Sequence, residues 1–265
     1  MNSQHPILTP LAAVIAGLIL SSQLSATVLL SDSFDYMDGE LVSVAGGNWS
    51  TLDSAYAQTY RVVDEQLVAE FSAIGGSTNR EVGAALSSSA TTGFVYTSFQ
   101  FQASVAPTSS AGYIAFLTAE GSTGTRASRL TYRLSDGGLQ WGITNTSSAS
   151  QATWQTATAG DLDTAYLIVT RYDLSTGTST LWIDPTDELS TSVESTNGTL
   201  INEVGGVGLR LRSSVDSGTY ALDNYLVGTS WSDVVSTAAV PEPSTYALAA
   251  GFFTLGFAAW RRRRA

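Results

Sequence analysis

The chain of 265 residues has no cysteine, no lysine and one histidine. The first absence removes disulfides, thiolate metal sites and a cysteine nucleophile together. The lone histidine is His5, near the N-terminus. Residues 27–239 therefore carry no imidazole, which excludes a Ser-His-Asp triad, a histidine general base and histidine metal ligands there. All twelve basic residues are arginine. Between residues 27 and 239 there are 22 acidic residues and 8 arginines, a net charge of −14. A surface of that sign repels nucleic acid and anionic membrane, so nucleic acid is not an expected partner. Sustained helical periodicity is also missing from this region.

What is present is most pointed at the C-terminus. Val240-Pro241-Glu242-Pro243-Ser244 precedes an uncharged run, residues 245–260, and then Arg261-Arg262-Arg263-Arg264. Each proline fixes φ and lacks an N–H, and each pushes the residue before it toward extended geometry. The motif is thus a stiff peptide suited to recognition by a processing enzyme. The sixteen residues after it span ~24 Å as a helix, slightly under a ~30 Å hydrocarbon core. Leu248, Phe252, Phe253, Leu255 and Phe257 together favour insertion by about 2 kcal/mol, a marginal anchor. Trp260 suits the interface, and the four arginines act as a cytoplasmic stop facing anionic lipid at ~1 kcal/mol each.

From end to end this tail resembles the PEP-CTERM sorting signal. The resemblance implies recognition by an exosortase, a membrane enzyme of Gram-negative bacteria that make extracellular polysaccharide. It also implies cleavage near residues 241–244 and release to the cell surface or matrix after a transient stay in the inner membrane. The other end agrees. Residues 7–20 are apolar and 21–26 small and polar, the order of a signal peptide cut after Ala26. The segment before it lacks Lys and Arg, and Leu24 occupies a position that usually holds a small residue.

The expected organisation is a signal peptide (1–26), a β-sandwich (27–235), a short linker (236–239) and the sorting and anchor segment (240–265). Strand signals fill the second part. Phe94–Ala103 alternates, with Val95, Thr97, Phe99 and Phe101 on one face. Further strands are expected at 113–119, 126–134, 139–144, 166–172, 180–184 and 207–212. Asp136-Gly137-Gly138 and Ser175-Thr176-Gly177 read as hairpin turns. Strands at this spacing over some two hundred residues point to an antiparallel sandwich or jelly roll.

Three stretches sharpen that expectation: Ser31-Asp32-Ser33-Phe34-Asp35-Tyr36 with Gly46-Gly47-Asn48-Trp49, then residues 166–173 with 181–185, then residues 222–231. In this order they are similar to concanavalin A-like (LamG-like) jelly rolls that precede PEP-CTERM tails. The resemblance implies an all-β antiparallel β-sandwich, flanked here by an N-terminal signal helix and a C-terminal transmembrane helix. It implies that the first and last strands lie side by side, placing Phe34 near residues 222–227.

Three chemistries are candidates. Glycoside hydrolysis needs two carboxylates facing each other across a cleft. The pattern Glu-x-Asp-x-x-Glu or Glu-x-Asp-x-Glu is absent. The nearest pairs, Asp64/Glu65, Asp161/Asp163 and Asp187/Glu188, fall in turns or point opposite ways, so catalysis is not expected. Glycan binding needs exposed rings that stack on sugar faces. Trp141 and Trp154, flanking a Ser/Thr/Asn loop, are the expected platform, and extracellular polysaccharide the expected partner. Trp182 suits either layer of the sandwich. A structural calcium is the third, with Asp32, Asp35 and Asp223 as ligands if the first and last strands meet, as in several relatives of this fold. Arg129/Arg133 and Arg210/Arg212 each share a strand face and are expected to pair with acids. The expected role is adhesion, matrix association or glycan contact without catalysis. A polysaccharide-acting hydrolase and a ligand-free structural protein are the alternatives.

Overall fold

The computed structural model describes residues 27–52, 60–71, 79–104, 113–119, 124–135, 138–155, 160–212 and 218–235. Both termini, with the signal segment and the whole sorting tail, lie outside them. In chain order the strands are β1 (Val28–Asp32), β2 (Gly39–Glu40), β3 (Trp49–Thr51), β4 (Tyr60–Val63), β5 (Gln66–Phe71), β6 (Asn79–Ala90), β7 (Phe94–Ala103) and β8 (Tyr113–Thr118). They continue with β9 (Arg126–Ser135), β10 (Gly138–Thr144), β11 (Thr153–Trp154), β12 (Ala165–Asp173), β13 (Ser179–Ile183), β14 (Ser192–Ser195), β15 (Val204–Arg212) and β16 (Gly218–Gly228). Among the described residues there are also two single-turn α-helices, α1 (Leu41–Val44) and α2 (Trp231–Val234), and a 3-10 turn at Ala149–Gln151.

The strands form two antiparallel sheets. The first runs β14-β13-β12-β7-β16-β5-β4-β2, with β1 also on β16. The second runs β11-β10-β9-β8-β15-β6-β3. β16 holds β7 along one edge and shares the other edge between two partners. Residues 218–222 pair with β5, and residues 225–228 with β1. The register slips between Asp223 and Leu226, and Asn224 there takes a left-handed φ of 53°, a conformation that Asn tolerates better than most residues.

The core lies between the sheets and is aromatic. Phe99 stacks on Tyr225 (5.1 Å), Phe101 on Tyr220 (5.3 Å), and Trp49 meets Tyr225 edge-on (6.0 Å). Each such burial stabilises by about 1.5–3 kcal/mol before entropy is counted, which is how a chain without disulfides holds two sheets together. Phe34 is fully buried and reaches Tyr225 through Trp49, beside the last strand as the family resemblance implies. Trp182 faces outward from the first sheet, under α2, packed edge-on to Trp231 at 5.3 Å.

Both hairpins form. Ser135 opposes Gly138 across β9 and β10, and Gly177 takes φ +73° between β12 and β13, where its N–H donates to Asp173 O. Polar ties pin the sandwich ends. Asn145, buried, uses its whole side chain: Nδ2 donates to Gly177 O and Ser195 O, while Oδ1 accepts from Ser128 N and Ser179 Oγ. One residue thereby joins the second sheet to the first.

Candidate functional site

Strand parity divides the second sheet. Val82, Ala84, Leu117, Leu130, Tyr132, Leu139, Trp141, Ile143, Val207 and Leu209 point into the core. Their alternates make the outer face. Small residues there leave room for what lies above them. A Cβ on Gly208 would collide with the Phe116 ring, and one on Gly142 would meet Trp154 at 2.8 Å. Next to Phe116 a groove of about 260 Å³ runs over Gly83, Ala85 and Gly206, walled by Ser50, Leu52 and Thr118.

The charge of this sheet is opposite to that of the chain. Its strands carry six of the eight arginines between residues 27 and 239 (Arg80, Arg126, Arg129, Arg133, Arg210 and Arg212) and one carboxylate, Glu81. Arg126 forms a fork on Glu81, Nη1 to Oε1 at 2.8 Å and Nη2 to Oε2 at 2.6 Å. It also donates to Tyr113 Oη at 2.7 Å and lies 4.5 Å above the Phe116 ring. Arg210 Nε stands 3.2 Å from Glu81 Oε1, its guanidinium 4.4 Å over Tyr113. Arg129 closes the third side of Tyr113 at 5.1 Å. Its Nη1 donates to Asn145 O at 3.2 Å, and among the described residues its Nε has no partner. Burial opposes the charge of Arg126, but the Glu81 carboxylate and Tyr113 together outweigh it and raise that pKa. Burial lowers the pKa of Arg129, and the fields of Arg126 and Arg210 add to the effect.

The structure separates the two expected tryptophans. Trp141 is no surface platform: it is 2% exposed, edge-on to Phe101 at 4.9 Å and stacked on Tyr132 at 5.7 Å. It shares the inward face with Leu139 and Ile143, so alternation carries it into the core. Trp154 is half-buried on the outer face, lying over Gly142 with the Arg133 guanidinium 4.0 Å above its ring. Arg133 Nε in turn donates to Gln140 Oε1 at 2.8 Å.

The three expected aspartates are each held by protein hydrogen bonds. Asp32, 7% exposed, accepts Phe34 N at 2.8 Å on Oδ1, and Tyr36 Oη (2.9 Å) and Trp49 Nε1 (2.6 Å) on Oδ2. Its oxygens are consumed in holding the β1 end to the core. Asp35 is exposed and accepts Ser33 Oγ. Asp223 accepts Asn224 N at 2.7 Å, and its pKa is raised, first by burial and then by the Asp35 charge. Asp35 and Asp223 are thus neighbours. Among the described residues no group of three His, Cys, Asp or Glu stands close enough to hold a metal.

The paired acids are also placed. Asp64 and Glu65 occupy a turn with left-handed φ, Asp161 and Asp163 are exposed in a loop, and Glu188 pairs with Arg171 at 3.1 Å. Arg210 meets an acid, as expected; among the described residues Arg129 has no carboxylate within ion-pair distance. Also among them, no helix is long and apolar enough to cross a membrane; residues 240–244 and 261–264 lie outside.

No protein-family model matches the chain, and no curated protein sequence does. Solved structures do. One, from work on endo-acting O-glycanases with which prominent members of the human gut microbiota initiate mucin breakdown, aligns at 11% identity and a TM-score of 0.52. The alignment covers 76% of this chain and 98% of that one. A sialidase aligns at 10% identity and a TM-score of 0.48 over 77% of this chain, which spans 19% of the sialidase. Basic winged bean lectin with Tn-antigen aligns at 11% identity and 0.44, covering 77% and 98%. At such identities what is established is the fold alone, an all-β antiparallel sandwich.

Proposed function

We propose that this chain is an exported surface or matrix protein of a Gram-negative bacterium, sorted through its C-terminal tail, whose sandwich contacts glycan without cleaving it. The placement half rests on the tail: Val240 to Ser244 for an exosortase-type enzyme, the apolar run for a temporary hold in the inner membrane, and Arg261 to Arg264 as the stop. The glycan half rests on one observation, the outer face of the seven-stranded sheet. That face combines a groove of mixed lining with a half-exposed Trp154 and a rank of hydrogen-bond donors, the combination a sugar ring requires. The same face supports the non-catalytic reading. The strands of that sheet supply one carboxylate, Glu81, which is already paired with Arg126 and Arg210, whereas glycosidic hydrolysis calls for two.

Two measurements test this. Cell fractionation should find a matrix form lacking residues 1–26 and the tail; intact chain in the cytosol defeats the placement. Affinity electrophoresis of the full chain in the producing bacterium's extracellular polysaccharide should show retardation with no release of reducing sugar. Sugar release would shift the reading to a hydrolase, and unretarded migration to a structural protein.

A further inference from the structure

Three guanidinium groups surround the Tyr113 ring, and among the described residues one carboxylate, Glu81, pairs with them. Glu81 is saturated by the Arg126 fork and by Arg210. Arg129 is 7% exposed; among the described residues it donates to a carbonyl oxygen and faces a ring, and its Nε finds no partner. A buried cation beside two others is costly unless an anion completes it. The surrounding body is acidic, yet six arginines have been gathered on this sheet. Guanidinium forks match oxyanions, donating two parallel hydrogen bonds per group. Thr118, which lines the groove, pairs across strands with Arg126, and Glu81 sits two residues from Gly83 in the groove floor. An anion held at the arginines is therefore next to a space for the ring that bears it.

The geometry points to an oxyanion site: Arg126, Arg129 and Arg210 around Tyr113 take the carboxylate or sulfate group of an acidic polysaccharide, whose chain lies along the groove at Gly83 and Gly206. This rests on the glycan-binding reading and narrows it to a substrate class. The acidic remainder of the body does not cancel the site, because charges more than about 8 Å apart are screened at physiological salt.

The test is a titration of the full chain with oligogalacturonate, its methyl ester, dextran sulfate and dextran. Each acidic probe is expected to bind about tenfold or more tightly than its neutral counterpart, weakening as salt rises. The tighter of the two acidic probes identifies carboxylate or sulfate as the natural group. Arg129→Gln should lose about tenfold for the acidic probes, while Arg61→Gln, exposed on the other sheet, should not. Arg129→Lys keeps the charge without the planar fork and should lose less, with an unchanged near-ultraviolet circular dichroism spectrum. A parallel melting series with inorganic sulfate should raise Tm in the unmodified chain more than in Arg129→Gln. Equal binding of acidic and neutral probes, or full binding in both Arg129 variants, overturns the oxyanion site and leaves glycan binding standing. Sulfate stabilisation that depends on Arg129, with no sugar bound, keeps the site and defeats the glycan reading. Absence of both effects ends both.

Discussion

The backbone N–H of Thr27 donates to Asp233 Oδ2 at 3.1 Å. The same oxygen accepts Thr229 N at 3.0 Å and Ser230 N at 2.8 Å. One carboxylate thus gathers the start of the sandwich and the cap of α2, where the chain leaves for its tail. Cleavage after Ala26 would turn the Thr27 N–H into an ammonium group and this hydrogen bond into a charge pair. A chain beginning at Thr27 is expected to be more stable by about 1 kcal/mol than the same chain acetylated at that nitrogen. Asp233→Asn should abolish most of the difference. Urea denaturation of the four species measures it.

Trp141 and Trp154 part company under mutation. Trp141→Ala empties a core position and should cost about 3–5 kcal/mol in urea unfolding. Trp154→Ala should change stability by much less and weaken glycan retention. Normal stability in Trp141→Ala would contradict its burial.

Asp32 is a structural acceptor. Its replacement by Ala leaves Trp49 Nε1, Tyr36 Oη and Phe34 N without their partner, a loss of about 3 kcal/mol read from the urea midpoint. Since its oxygens are already spent, EGTA should leave the Tm of the native chain unchanged. A fall in Tm restored by calcium would show that the aspartates hold an ion after all.

Asp223 gives a pH signature. Burial and the neighbouring Asp35 raise its pKa, so folding favours its protonated form. The stability from this group is complete below the ordinary carboxyl value and is lost as pH rises through the raised one. Asp223→Asn mimics the protonated state and still accepts the Asn224 N–H. Its Tm should exceed that of the native chain at neutral pH, with the advantage disappearing as the solution is acidified below the usual Asp range. A constant difference across the titration would mean the gain is not electrostatic.

Alternation made much of the fold legible. Phe94–Ala103 occupies the predicted residues, and the six strands expected between 113 and 212 lie within a few residues of their expected bounds, whereas the short β11 and β14 were not among them. β6 was not read because Gly83, Ala84, Ala85 and Ser87 to Ser89 lack the branched and aromatic signal; pairing with β15 and β3 forms it instead. The same period of two, applied to Leu139, Trp141 and Ile143, places Trp141 inward. The adjacent polar loop drew attention from that parity. α2 was hidden in a run of small residues, though Ser230 and Asp233 have capping-box spacing. The arginine cluster was not legible. Ser128 adopts φ 48° where the β8–β9 register slips, so Arg126 and Arg129, three apart, converge on one ring, and no period of two predicts that.

β16 carries a consequence for timing. Its second half cannot be flanked on both sides until β1, two hundred residues earlier in the chain, returns to it. Contacts this distant form late, because the intervening loop must close first. On the proposed export route, a precursor threaded outward tip-first would keep its leading strand unmatched throughout passage, and the sandwich would lock only once the trailing end had cleared the channel.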